Sequence, residues 1–160
     1  MRLYFRDHFF NAGQTDILNE SNERVGEVDL RSAFGSALDV FDRNGSHLYG
    51  GKFPMLSNKW IVTGPDGEEC GQLRYRTSFL SKRFEYDAYR RGVFEITSPA
   101  FSREYEICDE QENVTASFEK VSGWFAASAY CLENRTSRLD SYEWIAVILG
   151  MHEIQKRQRS

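Results

Sequence analysis

Leu139-Asp140-Ser141-Tyr142-Glu143-Trp144-Ile145-Ala146-Val147-Ile148-Leu149-Gly150-Met151-His152-Glu153-Ile154 is the stretch on which the fold turns. From Trp144 to Met151 no residue is charged, so the segment is apolar all round, as in a helix buried on every side. A membrane span needs about 20 apolar residues, and this run has eight before His152 and Glu153 interrupt it. Asp140 and Ser141 supply N-cap chemistry, with Glu143 placed as in a capping box and adding acidic charge to the first turn. Lys156, Arg157 and Arg159 suit the negative end of the helix dipole. The spacing predicts a helix over about 141–157 whose core is Trp144, Ile145, Val147, Ile148, Leu149 and Met151. Everything before it reads as short strands and turns, an order that points to a barrel closed around its own C-terminal helix.

Turn signals recur at near-constant spacing: Asn19-Glu20-Ser21-Asn22, Asp42-Arg43-Asn44-Gly45, Gly64-Pro65-Asp66-Gly67, Tyr89-Arg90-Arg91-Gly92, Asp109-Glu110-Gln111-Glu112-Asn113 and Glu133-Asn134-Arg135. Breaks of a second kind fall between them, at Ser32-Ala33-Phe34-Gly35, Pro54-Met55-Leu56-Ser57, Ser78-Phe79-Leu80-Ser81, Ser98-Pro99-Ala100-Phe101 and Val121-Ser122-Gly123. A degenerate hairpin repeat fits both sets. Period-two alternation marks half-buried strands at Val28/Leu30, Leu38/Val40, Trp60/Val62, Leu73/Tyr75, Phe84/Tyr86, Phe94/Ile96, Tyr105/Ile107 and Val114/Ala116/Phe118. Strands at about 3–9, 14–18 and 125–132 bring the total to about twelve, spanning about 3–132.

Twelve strands tilted about 40° close into a barrel on the order of 24 Å across, and a helix is about 10 to 12 Å wide, so one layer of inward side chains fills the gap. The lumen is then occupied. Small residues on the late strand, Ala127, Ala129 and Cys131, are expected to let the helix approach closely. The fold class is thus mainly β, α+β by content, a closed antiparallel barrel of about twelve strands threaded by a hydrophobic C-terminal helix.

The 160 residues read as one domain, long enough to bury roughly 70% of the surface of the unfolded chain. The first residues, Met1-Arg2-Leu3-Tyr4-Phe5-Arg6-Asp7, lack the apolar core of a signal peptide, which implies a cytoplasmic protein. Cys70, Cys108 and Cys131 are odd in number and show no CxxC spacing, so they read as buried thiols. Without secretion the sequons at Asn113 and Asn134 have no consequence. A net charge of −4 argues against a nucleic-acid binder. The charge is uneven: between Lys52 and Arg91 eight basic and five acidic residues give +3, leaving −7 for the rest.

The order of these features resembles the tubby C-terminal-like fold, and the hairpin texture is similar to its LURP-one-related branch of small stand-alone members. The residues that carry the likeness are Leu3-Tyr4-Phe5-Arg6-Asp7-His8-Phe9-Phe10, strand-turn-strand units such as Leu38-Asp39-Val40-Phe41-Asp42-Arg43-Asn44-Gly45, and Trp144-Ile145-Ala146-Val147-Ile148-Leu149. The resemblance covers essentially the whole chain. It implies a non-enzymatic domain that binds anionic lipid head groups through basic residues on the barrel surface, as tubby proteins bind phosphoinositides. Tubby's lipid-binding motif has no residue-by-residue match here. The cysteine-rich segment and calcium motif of the related scramblases are also missing, which puts lipid scrambling in doubt.

Within the residues, the candidate anionic-lipid site is the run Lys82, Arg83, Arg90 and Arg91, joined by Arg74 and Arg76 on the neighbouring strand. The plain alternative is a solvated wall interleaved with Glu85 and Asp87. His8, His47 and His152 show no metal-ligand spacing, and GxSxG, GxxxxGK[ST] and GxGxxG are missing, so neither a catalytic site nor a cofactor or metal is indicated. His152 is expected at the barrel rim as a structural imidazole, and Trp60, Trp124 and Trp144 as core or rim residues. The expected partner is an anionic phospholipid at the periphery of a membrane. A protein-interaction scaffold comes second, and a lipocalin-type carrier, which needs an open cavity, comes third.

Overall fold

A computed structural model describes residues 1–6, 13–30, 37–76, 81–99, 104–124 and 127–159. Twelve strands precede one helix: β1 Arg2–Arg6, β2 Gln14–Leu18, β3 Arg24–Asp29, β4 Ala37–Asp42, β5 His47–Lys52, β6 Trp60–Thr63, β7 Glu69–Arg76, β8 Ser81–Asp87, β9 Val93–Pro99, β10 Tyr105–Cys108, β11 Val114–Trp124, β12 Ala127–Asn134 and α1 Ser141–Gln158. Each strand pairs antiparallel with its chain neighbours, and β1 pairs with β12 to close the barrel. The register at the seam, Leu3↔Leu132 and Phe5↔Tyr130, turns these four side chains into the core.

Four hairpins at one end of the barrel share a local chemistry that explains the repeat. Asn19, Asp42 and Asp109 each accept two backbone N–H groups through Oδ1, at 2.8 to 3.0 Å. Three residues on, Asn22, Gly45 and Glu112 hold φ between 62 and 83°, as Gly67 does in the turn opened by Gly64. Each of these hairpins also carries a register shift, at Ile17/Leu18, Val40/Phe41, Val62/Thr63 and Ile107/Cys108. A turn followed by a left-handed residue and a bulge is a common hairpin solution, and the carboxylate or amide at its first position stabilises it.

Two expectations about breaks and strands need correction. Val121-Ser122-Gly123 does not end a strand: β11 runs through it to Trp124, absorbing the irregularity as a register shift between Val121 and Trp124. Strand β5 is the one that alternation does not reveal, because Gly50 and Gly51 occupy its centre. The breaks at 32–35 and 78–80, the residues 100–101, and the strand ends at 7–9 and 125–126, with His8, lie outside the described residues.

Helix α1 fills the lumen. Trp144 to Met151 are all buried, together with Ile154, in one core with the inward residues of the wall. Asp140 is the N-cap, its Oδ1 accepting from the Tyr142 N–H at 2.8 Å. Glu143 does not complete a capping box; its carboxylate turns outward into the wall. A lipocalin-type carrier needs the space that the helix takes up. Among the described residues no helix is long and apolar enough to cross a membrane.

The close approach of helix and wall occurs at β5, not at the late strand. Ala129 and Cys131 pair with Arg6 and Tyr4, one residue out of phase with the inward Tyr130 and Leu132, so they face away from the helix. The Ala127 side chain lies outside the described ones, as does that of Trp124. Room comes from Gly51 and Gly150, between which the buried indole of Trp60 is seated; its Nε1 donates to the Ala146 carbonyl at 3.1 Å.

Candidate functional site

The six basic residues singled out from sequence are placed on three different surfaces. Arg74, Arg76 and Arg83 lie on the outer wall of β7 and β8, and each is matched by a carboxylate. Arg74 donates to Glu85 at 2.7 and 3.1 Å, Arg76 reaches the same carboxylate at 2.8 Å, and Arg83 pairs with Glu95 at 3.1 Å. Those two arginines hold the Glu85 carboxyl below the usual carboxylate range, hydrogen bonding from Arg76 being the largest cause. Pairs this exposed contribute little to stability, but the two carboxylates offset two of the three positive charges of the wall.

Lys82 and Arg91 face the helix instead. Lys82 shares the inward parity of Phe84 and Tyr86; its Nζ donates to Gln155 Oε1 at 3.1 Å, and Gln155 Nε2 donates to the Tyr105 hydroxyl at 3.0 Å. Arg91 closes the opposite end, with Nη1 and Nη2 on the two carboxylate oxygens of Glu143 at 2.5 and 2.8 Å, while Nη2 also donates to the Cys70 carbonyl. Tyr86 donates to the same Glu143 carboxylate at 2.6 Å. Glu143 has no solvent exposure, so the bidentate pair and the phenol are what make its burial tolerable. Arg91 is held above its ordinary value chiefly by hydrogen bonding to Glu143. Arg90, in the turn at Tyr89–Arg91, is exposed and has no partner among the described residues.

The two described histidines, His47 and His152, have structural settings. His47 Nε2 lies 2.8 Å from Asp39 Oδ1 and edge-on to Phe41, and His152 is buried on the helix. Trp60 and Trp144 are core residues. Among the described residues no group of three or more His, Cys, Asp or Glu side chains is placed to hold a metal ion.

Basic residues gather at the barrel end where α1 emerges, beside the Lys156–Glu153 pair of the helix at 2.9 Å. There the β5–β6 loop, 53–59, meets the last helical turn. The Arg157 guanidinium lies 3.5 Å from the centroid of the Phe53 ring, and its Nη1 donates to the Ser57 carbonyl at 3.1 Å. Phe53 packs edge-on against Trp60 at 5.1 Å, tying the loop base to the core. A cleft of about 400 Å³ opens beside this junction, lined by Phe53, Asn58, Lys59, Arg74, Tyr75, Ile154, Arg157 and Gln158. Three of these are cationic, Lys59, Arg157 and Arg74, the last being already held by Glu85. Lys52 and Arg159 are exposed at the same end and, like Lys59, have no side-chain partner among the described residues.

Lys52, Lys59, Arg157 and Arg159 were visible in the sequence, two inside the +3 segment and two in the helix tail. What the sequence lacked was their convergence, because loop and tail are 100 residues apart at Ser57 and Arg157.

No family model and no curated protein matches the sequence. The fold is similar to that of a protein from Arabidopsis thaliana determined by X-ray crystallography. The TM-score is 0.64 at 12% sequence identity, over 99% of this chain and 91% of that one. At that identity the likeness concerns the fold alone.

Proposed function

We propose that this protein is a non-enzymatic tubby-like barrel of the LURP-one-related kind that binds anionic lipid head groups at a membrane surface. The observation that carries the reading is the basic cluster at the end where the helix emerges, Lys59 and Arg157 lining the cleft with Lys52 and Arg159 exposed at the same end. A basic residue near a charged bilayer contributes about 1 kcal/mol. Four of them supply reversible, salt-sensitive association, the behaviour of a peripheral protein. The outer wall of β7 and β8 is the weaker face for this purpose, since Glu85 and Glu95 offset Arg74, Arg76 and Arg83.

Flotation with neutral and phosphatidylserine-containing vesicles, at low and high salt, tests the reading. Wild type is expected to float with the anionic vesicles at low salt only. A Lys52→Ser/Lys59→Ser/Arg159→Ser variant should lose that binding, and an Arg76→Ser/Arg83→Ser variant should keep it. Loss in the second variant alone would move the site to the wall. No binding by wild type to any vesicle would leave a protein-interaction scaffold as the better account.

A further inference from the structure

We infer that Met55 and Leu56, at the tip of the β5–β6 loop, insert into the boundary between head groups and acyl chains of an anionic bilayer, so that the basic end is a wedge and not only a charged surface. This rests on the membrane reading above and adds the mode of engagement. Met55 is 91% exposed and Leu56 fully so, which makes this the largest adjacent pair of apolar side chains presented to solvent among the described residues. Single exposed apolar residues are ordinary. Here two are adjacent, and the backbone is arranged to present them.

The tip is a turn in which the Ser57 N–H donates to the Pro54 carbonyl at 3.1 Å. Leu56 occupies its third position with φ 59°, where glycine is the usual residue. A branched side chain in the left-handed region is unfavourable, and its full exposure to water is unfavourable again. Such a conformation persists only where its surroundings over-determine it. Those surroundings are on hand: the Arg157 contact to the Ser57 carbonyl, the Phe53 ring between Arg157 and Trp60, and the Lys59 N–H donating to Ser57 Oγ at 3.0 Å. The base of the loop is braced while the two apolar side chains project.

Charge selects the occupant. Lys52 and Lys59 flank the tip in the chain on both sides, Arg157 reaches the Ser57 carbonyl beside it, and Arg159 is exposed two residues further along the helix end. Apolar side chains inside a basic collar fit a surface that is anionic at the head groups and apolar a few ångströms below, the arrangement by which peripheral proteins combine both attractions.

Two measurements test the wedge. A Met55→Ser/Leu56→Gly variant removes the apolar tip and relieves the backbone, so its melting temperature should stay the same or rise. Its partition onto phosphatidylserine vesicles should fall by about tenfold or more. In parallel, the fluorescence of Leu56→Trp, compared with wild type, should shift to the blue and be quenched by vesicles carrying brominated acyl chains. If wild type binds anionic vesicles but the tip variant binds equally well and Leu56→Trp is not quenched, the wedge is wrong and surface charge alone accounts for binding. If wild type binds no vesicle, the wedge falls together with the membrane reading, and the tip is left to a protein pocket.

Discussion

Trp60 lies so close to Gly150 that a Cβ on that residue would sit 2.3 Å from the indole Cδ1, and a Cβ on Gly51 would sit 2.1 Å from Cζ2 on the other side. Alanine is favoured over glycine inside a helix by about 1 kcal/mol, so propensity argues that Gly150→Ala should stabilise α1. The indole is fully buried and held by its bond to the Ala146 carbonyl, leaving it nowhere to move. Overpacking of this kind costs about 1–3 kcal/mol. Both Gly150→Ala and Gly51→Ala are therefore expected to lower the urea midpoint, and a higher midpoint for Gly150→Ala would mean that the helix is not pressed against the wall.

The pair Arg91–Glu143 makes a second prediction. Arg91→Met leaves a fully buried carboxylate with Tyr86 as its one side-chain donor among the described residues, at a cost of about 3 kcal/mol, the low end for a broken buried pair because the Arg91 side chain is 37% exposed. Adding Glu143→Leu removes the stranded charge and should recover most of that loss. A double variant no better than Arg91→Met would show that the pair acts through packing and not through charge.

Alkaline pH should weaken the fold through Tyr86. Its phenol is held above the ordinary tyrosine value, by burial first and then by the neighbouring Glu143 charge and the bond to it. Tyr89 is likewise pushed up to about 12, by burial and its bond to Glu69. A raised value means that the folded state favours the neutral phenol, so the contribution is complete below about pH 10, the unfolded value, and is lost as the pH rises above it. Chemical denaturation across pH 7 to 12 is expected to show stability falling from about pH 10, with a shallower fall in Tyr86→Phe. An unchanged slope in that variant would remove Tyr86 as the cause.

Ile148 is 1% exposed at the middle of α1. Ile148→Asp places an unpaired charge in the lumen and should destabilise the fold by several kcal/mol, on the order of leaving a charge buried without a partner. A melting temperature equal to that of wild type would defeat the plugged barrel.

Local chemistry was legible in the chain. The uncharged run Trp144 to Met151 announced a helix buried on all sides, Asp140 its start, and Asn19, Asp42 and Asp109 the hairpins at one end, because each of these signals is complete within a few residues. Two of the six proposed lipid-binding residues show where that legibility stops. Lys82 and Arg83 are adjacent in sequence, yet one reaches into the barrel to Gln155 and the other outward to Glu95. The same parity turned Ala129 and Cys131 away from the helix that they were expected to admit, and left Gly51 to do so. A side chain's face is set by strand register, and register is set by pairing partners and bulges elsewhere in the sheet. Where the charges gather was decided in the same way: Glu85 is shared by Arg74 and Arg76 from the next strand, whereas the loop that carries Lys59 meets Arg157 only because the helix runs the length of the barrel and emerges beside it.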